Sequence, residues 1–185
     1  MEIPSTGRAT IIENFDSVEI IVPAKRNGFV LPFLEVWLCA WLFGEVSVLK
    51  ELAHGISAGP SLFMIVWLGG WTAGGVFAFR TFLWSLIGKE VITVGQGAIT
   101  VDKKNALFYK AKTYDLHEAK NFRAEEEPGS NDLFGQNRSR TFFNLKNSGT
   151  IRFDYGMETI KFADSIYEPE ANFILQKLRS KKLIA

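Results

Sequence analysis

An uncharged apolar run over residues 61–79 constrains this chain more than any other feature of its sequence. The run begins at Ser61, ends at Phe79 and contains no Asp, Glu, Lys or Arg. About 18 or more consecutive apolar residues are enough for a helix to cross a bilayer. The run therefore predicts a membrane-spanning helix, with lipid rather than water as the solvent around this part of the chain.

Charged residues are distributed unevenly along the 185 residues. Residues 29–88 carry two basic and three acidic side chains, whereas residues 89–185 carry 16 basic and 13 acidic ones. This segregation predicts an N-terminal segment with one strand over 1–28, a transmembrane hairpin over 29–88 and a cytoplasmic domain over 89–185. Net charge is close to zero and no basic stripe alternates with aromatic residues, which argues against nucleic-acid binding.

The hairpin is predicted to consist of one span over about 31–50 and a second over about 61–87. The first span is the weaker prediction, because its apolar run over residues 29–43 contains Pro32 and Glu35. To cross a core of about 30 Å, it has to continue beyond that run to a length of about 20 residues. The short connection between the spans predicts antiparallel helices whose outer ends lie on the same side of the membrane.

Basic residues near the spans predict their orientation. Lys25, Arg26, Arg80 and Lys89 lie toward the outer ends of the two spans, whereas the connecting turn offers only Lys50. Cytoplasmic flanks of membrane helices carry the excess of Lys and Arg. Both termini are therefore predicted to be cytoplasmic in a multi-pass protein, with the four outer basic residues at the lipid surface.

The pattern outside the spans alternates with a period of two, which is typical of half-buried strands. The triplet Gly95-Gln96-Gly97 predicts a tight hairpin between two of the strands. Residues 17–24 are expected to join a sheet formed by later strands, and residues 1–16 are expected to be mobile. The full set of predicted strands covers residues 17–24, 90–94, 98–102, 107–114, 119–125, 141–145, 150–155 and 157–162.

The C-terminal segment over residues 168–183 is predicted to be an amphipathic helix. Apolar residues recur there at helical spacing, with Glu early and Lys or Arg late, as the helix dipole prefers. The residues that form the apolar face are Ala171, Ile174, Leu175 and Leu178.

About seven short antiparallel strands closed by a C-terminal helix follow the order of a pleckstrin-homology-like (PH-like) roll. Four segments of the sequence resemble a group of small bacterial membrane proteins in which a two-helix hairpin is joined to a PH-like domain. The segments are residues 21–27, 37–45, 88–90 and 153–156, the last with Thr159 and Phe162. The resemblance covers most of residues 18–178. It implies an α+β fold with a transmembrane hairpin and a PH-like β-roll, in the bacterial inner membrane.

Glu35 is the charge that stands out within the first span. A carboxylate in a span is costly and usually faces a partner or a cavity, so Glu35 could be a proton site or could pair with a basic group of a larger complex. The alternative is that Glu35 lies one turn inside the helix, at the level of the lipid headgroups. Pro32 marks the start of the helix and favours this second interpretation.

Gly70 and Gly74 form a Gly-x-x-x-Gly pattern in the second span. Small residues allow helix backbones to approach closely in lipid. The pattern fits packing against the first helix of the same chain, and it fits docking to a helix of another subunit equally well.

Four tryptophans form two pairs, Trp37 with Trp41 and Trp67 with Trp71, each spaced four residues apart. Each pair therefore lines one helix face. Contact with a pigment or a quinone is one interpretation, but a seam between the two helices is favoured.

No catalytic, cofactor or metal site is predicted. His54 and His117 lack a second ligand at metal spacing, and Cys39 is a lone cysteine in an apolar stretch. The turn at residues 95–98 has no basic residue, so recognition of a phosphoinositide is not expected. Basic residues of the C-terminal helix could contact anionic lipid or lie in solvent; they are Lys177, Arg179, Lys181 and Lys182.

The sequence thus predicts a membrane-anchored, non-catalytic binding or scaffold module with a protein partner. The alternative is an accessory structural subunit of a larger membrane complex, respiratory or photosynthetic. An enzyme has no motif in its favour.

Overall fold

The computed structural model describes residues 7–26, 28–53, 62–107, 109–125 and 149–184, apart from the side chains of residues 52 and 62–64. Over these residues the protein is α+β, with antiparallel sheets and three helices. The chain divides into two compact units. The described residues of the β-rich unit are 7–25, 88–104, 109–125 and 149–184, and those of the helical unit are 26, 28–53, 62–87 and 105–107.

The larger sheet of the β-rich unit contains five strands in the order β1-β2-β3-β4-β5. Alternation places Val18, Ile20 and Val22 on one buried face, as their spacing predicts. Residues Gln96 and Gly97 both have positive φ, which confirms the tight hairpin between β3 and β4. The strands are β1 (Thr10–Glu13), β2 (Ser17–Pro23), β3 (Lys89–Gly95), β4 (Ala98–Lys104) and β5 (Lys112–Asp115).

The smaller sheet contains β6 (Ala119–Ala124), β7 (Ile151–Tyr155) and β8 (Glu158–Phe162) in that order. The C-terminal helix α3 (Glu168–Ser180) follows, and it contacts β6. All four apolar residues predicted to form its inner face are buried, with relative exposure of 2 % or less. The strand predicted over 141–145 lies outside the described residues.

Strand β1 corrects the expectation that the first 16 residues are mobile. Thr10 pairs with Ile21 and Glu13 with Val18, so β1 extends the sheet beyond β2. The backbone N–H of Ala9 also donates to Glu170 Oε1 at 2.7 Å. The contact with Glu170 joins residues 161 positions apart, which a local pattern of four residues does not reveal.

The strand predicted over 107–114 is shorter than expected, because only residues 112–115 pair with β4. Asn105 has a φ of 65° and turns the chain out of the sheet at the end of β4. Its side-chain amide donates to the Ile87 carbonyl at 3.0 Å. Residues 105–107 accordingly belong to the helical unit.

The helical unit contains α1 (Val30–Ala53) and α2 (Leu62–Ile87), which contact each other along their length. Arg26 contacts Leu86, whereas Glu45, farther along the chain, contacts Thr72, so the two helices run antiparallel. The turn predicted between them lies outside the described residues.

Within the described residues, one helix is long and apolar enough to cross a membrane, namely α1 over Val30–Glu51. The sequence ranked the second span above the first. That ranking stays a prediction, because residue 61 and the side chains of residues 62–64, which open the uncharged run, lie outside the described part of the chain.

Candidate functional site in the helix pair

One stripe of α1 is the side that packs against α2. Six of its partly buried residues recur with alternating spacings of four and three, the seam pattern of packed helices, and Leu31 and Leu38 are partly buried beside them. Glu45 lies beside this stripe and is itself buried, with 9 % relative exposure. The residues of the stripe are Val30, Leu34, Trp37, Trp41, Gly44 and Val48.

The Trp41 indole of α1 packs directly on Gly75 of α2. A Cβ atom built on Gly75 would lie 2.0 Å from Cε2 of the indole, so a side chain there would force the indole to move. The indole Nε1 donates to the Trp71 carbonyl at 3.2 Å. A backbone carbonyl inside a helix normally accepts a hydrogen bond from the backbone N–H four residues later. The Trp71 carbonyl also accepts one from the Trp41 indole of the facing helix.

Glu45 contacts Thr72 of α2 next to this close approach. Glu45 Oε1 lies 2.7 Å from Thr72 Oγ1, and the same hydroxyl oxygen lies 2.9 Å from the Leu68 carbonyl oxygen. The second carboxyl oxygen, Oε2, is buried and has no hydrogen-bond partner among the described residues. Among the described residues, the Thr72 hydroxyl is therefore the one group that hydrogen-bonds the buried carboxyl group of Glu45.

Glu35, the charge that the sequence singled out, lies on an exposed position of α1. Glu45 was missed as a site, although a signal for it was present. It stands four residues after Trp41 and eight after Trp37, and so on the same helix face as both tryptophans. That face packs against α2, whereas the face of Glu35 does not.

Gly70 and Gly74 lie on exposed positions of α2, and a Cβ built on either would meet nothing within 4 Å. They do not form the contact with α1, which Gly75 makes instead. Trp67 and Trp71 stack on each other along α2, with ring centroids 5.2 Å apart. The structure thus brings together Trp41, Trp71 and Gly75, and it leaves the Gly-x-x-x-Gly pair facing outward from the helix pair.

Four residues were predicted to lie at the lipid surface. Lys25, Arg26 and Lys89 are exposed, and Arg80 is half-buried. The Arg26 guanidinium donates to the Leu86 carbonyl at 3.2 Å, which ties the chain before α1 to the end of α2.

Basic residues of α3 are engaged within the β-rich unit. Lys177 Nζ lies 2.6 Å from Glu13 Oε1, and Lys181 pairs with the other oxygen of the same carboxylate. These two lysines lower the pKa of Glu13 to about 2. Arg179 donates to the Phe122 carbonyl at 2.9 Å. Three of the four basic residues that the sequence left open to anionic lipid or to solvent therefore form contacts within the β-rich unit, with β1 and β6.

Glu90 is a second buried carboxylate, at the start of β3, with 4 % relative exposure. Its Oε2 accepts from the backbone N–H of Ala163 at 2.8 Å, where Ala163 has a φ of 59°. Burial raises the pKa of Glu90, and Lys103, its cross-strand neighbour on β4, opposes that shift. The Glu90 carboxylate connects the larger sheet to the segment between β8 and α3.

His117 is exposed, and its ring Nδ1 lies 2.9 Å from Asp115 Oδ1 within one turn of chain. No cluster of three or more His, Cys, Asp or Glu residues that could hold a metal ion occurs in the part of the chain that the structure describes. His54 lies outside that part.

No protein-family model matches the chain, and no curated protein matches it.

Proposed function

We propose that this protein is a membrane-anchored, non-catalytic binding or scaffold module of the bacterial inner membrane. In this proposal α1 and α2 cross the membrane as a two-helix hairpin, and the β-rich unit is a PH-like domain at the cytoplasmic face. The membrane then holds the domain at a fixed height, which raises its effective concentration for a partner at the same surface.

The observation that carries the proposal is the apolar outer surface of the helix pair. On α1, Val36 is 72 % and Phe43 is 76 % exposed; on α2, Val66 is 67 % exposed. Soluble monomers rarely expose contiguous apolar patches larger than a few hundred Å². A lipid environment accounts for such a surface, because lipid tails are as apolar as these side chains.

The register of the β-rich unit supports a hairpin that begins and ends on one side of the membrane. Pro23, at the end of β2, is paired with Lys89, at the start of β3. The backbone N–H of Ala24 donates to the Gly88 carbonyl at 3.0 Å. The chain therefore leaves the sheet toward α1 and re-enters it from α2 at neighbouring positions. Lys25, Arg26 and Lys89 lie at these positions, which favours the cytoplasmic side.

The strand order supports a PH-like roll. Strands β2 to β5 form a four-stranded antiparallel meander, β6 to β8 form a three-stranded one, and α3 follows. A PH-like roll has this order of four strands, three strands and a C-terminal helix. In this interpretation β1 is an added edge strand, and the helix pair is inserted between the first two strands of the roll.

An exposed sheet edge supports a protein partner. Among the described residues β8 pairs only with β7, and no other described strand occupies its outer edge. An extended peptide can add to such an edge through main-chain hydrogen bonds.

Membrane fractionation tests the anchor. After lysis, the full-length chain is expected to stay in the membrane pellet through an alkaline carbonate wash and to enter the supernatant only with detergent. An N-terminal reporter fusion tests the orientation and is expected to be active only in the cytoplasm. Release by carbonate alone would contradict the anchor, and periplasmic activity would contradict the orientation.

The outward face of α2 favours one alternative function, an accessory subunit of a larger membrane complex. Gly70 and Gly74 are exposed on this face, where small residues allow another helix to approach closely. Native electrophoresis after mild-detergent extraction distinguishes the two functions. A subunit migrates with its complex at fixed stoichiometry, and Gly70→Leu is expected to release it, whereas a free module migrates alone or as a small oligomer.

A further inference from the structure

Two lysines lie directly opposite each other at one end of the larger sheet. Lys89 is the first residue of β3, Lys104 is the last residue of β4, and the register pairs them. Because side chains alternate along a strand, this pair lies on the face opposite to the buried pair Ile92 and Val101. Both lysines are exposed. Like charges directly opposite each other on neighbouring strands are destabilising, so this rung of the sheet favours a negative charge beside it.

The described residues supply only part of that negative charge. Asp102, on the same face of β4, places Oδ2 2.6 Å from Lys104 Nζ. In the described part of the chain Lys89 forms no ion pair, and neither does Lys25, which is exposed just after β2. Glu19, the acidic residue of β2, lies four residues before the end of that strand. Three positive charges and one negative charge therefore meet at this end of the sheet.

The chain places these lysines close to the ends of the two helices. Lys89 follows Ile87, the last residue of α2, by two positions. Lys104 precedes Asn105, whose side-chain amide donates to the Ile87 carbonyl at 3.0 Å. Lys25 lies five residues before the start of α1. If the helices cross a membrane, their ends lie at its headgroups, and the three lysines lie within reach of the same level.

The headgroup of an anionic phospholipid has the chemistry that this end of the sheet lacks. A lysine ammonium group carries three hydrogen-bond donors and no acceptor, and a phosphate group offers negatively charged acceptors. Lysines close to a membrane surface are attracted to anionic lipids. A zwitterionic headgroup carries the same phosphate but adds a positive charge, so it does not neutralise the lysines.

We propose that Lys25, Lys89 and Lys104 form a binding surface for the headgroups of anionic phospholipids. The headgroup phosphate sits beside the opposed pair of Lys89 and Lys104 and relieves the repulsion between them. The protein thereby selects anionic lipid at the ends of its helix pair. This inference rests on the proposed membrane anchor, because the helices bring the lysines to the headgroups.

Native mass spectrometry of the full-length chain in mixed micelles tests this surface. Phosphatidylglycerol and phosphatidylcholine with the same acyl chains are added in equal amounts, so that only the headgroup differs. The wild type is expected to retain phosphatidylglycerol in preference. The double variant Lys89→Gln and Lys104→Gln is expected to lower the preference by about five-fold for each lysine lost. An unchanged preference in this variant would overturn the proposal.

Two further double variants serve as controls. Lys120→Gln with Lys182→Gln removes the same charge from exposed lysines elsewhere in the β-rich unit and is expected to keep the wild-type preference. Lys89→Arg with Lys104→Arg keeps the charge at the surface and is expected to keep the preference as well. An equal loss in the Lys120 and Lys182 control would show that net charge alone sets the preference, which would contradict the proposal.

Asp102→Asn tests the same surface in the opposite direction. The substitution removes the negative charge beside Lys104 and is expected to raise the preference for phosphatidylglycerol. Unfolding of the variant does not produce such a gain, so the result does not depend on the stability of the lysine variants. A preference that stays the same or falls would count against the proposal.

Two measurements separate this surface from a site for soluble phosphate and from the anchor itself. Inorganic phosphate at the concentration of the added lipid, with ionic strength held constant, is expected to leave the bound lipid in place. Displacement would identify a site for a soluble anion and contradict the proposal. The Lys89→Gln and Lys104→Gln variant is expected to stay in the carbonate-washed membrane pellet with the wild type. Release of the wild type would contradict the anchor, whereas a retained pellet with unchanged lipid preference would contradict the lysine surface alone.

Discussion

Phe153 in the β-rich unit and Phe43 in α1 are identical side chains in opposite environments. Phe153 has no exposed surface and packs against Phe122, Tyr114 and Phe162, with ring centroids 5.1, 5.5 and 5.9 Å away. Phe43 is 76 % exposed. The β-rich unit thus encloses a cluster of aromatic residues around Phe153, and the helix pair displays many of its own. This difference is the one that the proposed membrane anchor requires, with water as the solvent of the β-rich unit and lipid as the solvent of the helix pair.

Substitution of the two phenylalanines gives the largest expected contrast between the units. Phe153→Ala removes the centre of the aromatic cluster and is expected to destabilise the β-rich unit by about 3–5 kcal/mol. Phe43→Ala is expected to leave the stability of that unit unchanged. Denaturant unfolding of the full-length chain in mild detergent, followed by circular dichroism, measures both. Equal losses in the two variants would mean that the units do not differ in this way.

A pair of neighbouring glycines tests the seam within the helical unit. Gly75→Ala places a methyl group against the Trp41 indole, which has to move and lose its hydrogen bond to the Trp71 carbonyl. The expected cost is about 1–3 kcal/mol, as for other overpacked contacts. Gly74→Ala is the control, because its new methyl group meets nothing within 4 Å.

Thermal unfolding and tryptophan fluorescence measure the effect of the two glycine variants. Gly75→Ala is expected to lower the melting temperature of the helix pair and to change the Trp41 environment, while Gly74→Ala changes neither. A larger effect at Gly74 would show that the seam uses the Gly-x-x-x-Gly face instead.

The smallest expected effect is the pH dependence contributed by Glu13. Lys177 and Lys181 lower its pKa from 4.5 to about 2, so the folded state favours the ionised form. The resulting stabilisation is present above pH 4.5 and is lost as the pH falls from 4.5 toward 2. Glu13→Gln is expected to remove this part of the acid sensitivity, as seen in melting temperatures measured across that range.

A lysine control sharpens the Glu13 prediction. Lys177→Met is expected to reproduce part of the effect of Glu13→Gln, because it removes one of the two partners of the carboxylate and leaves Lys181 in place. Lys182→Met changes an exposed lysine nearby on the chain and is expected to keep the wild-type pH profile. Identical profiles for Glu13→Gln and the wild type would contradict the account.

Features that depend on local pattern could be predicted from the sequence. The alternation of Val18, Ile20 and Val22 was enough to predict β2 and its buried face, and Gln96-Gly97 was enough to predict the β3–β4 turn. The apolar spacing of α3 was enough to predict its inner face. In each case the physical cause is a short-range periodicity or a backbone conformation that particular residues favour.

Features that depend on distant partners could not be predicted in the same way. Strand β1 is held by Glu170 and by two lysines of α3, more than 150 positions along the chain. The sequence places Glu45 on the helix face of Trp37 and Trp41, but only the position of α2 shows that this face is the one that is buried. The contact between Gly75 and Trp41 likewise depends on how the two helices pack, which the Gly-x-x-x-Gly spacing of Gly70 and Gly74 did not reveal.

Cys39 provides the most direct measurement of whether the helix pair lies in lipid. It is the only cysteine in the chain, and it is exposed on α1 within the apolar stretch. A nitroxide spin label on Cys39 of the protein in liposomes is expected to collide readily with dissolved oxygen, which concentrates in lipid, and rarely with a water-soluble nickel chelate. Ready collision with the nickel chelate instead would place α1 in water and contradict the central claim.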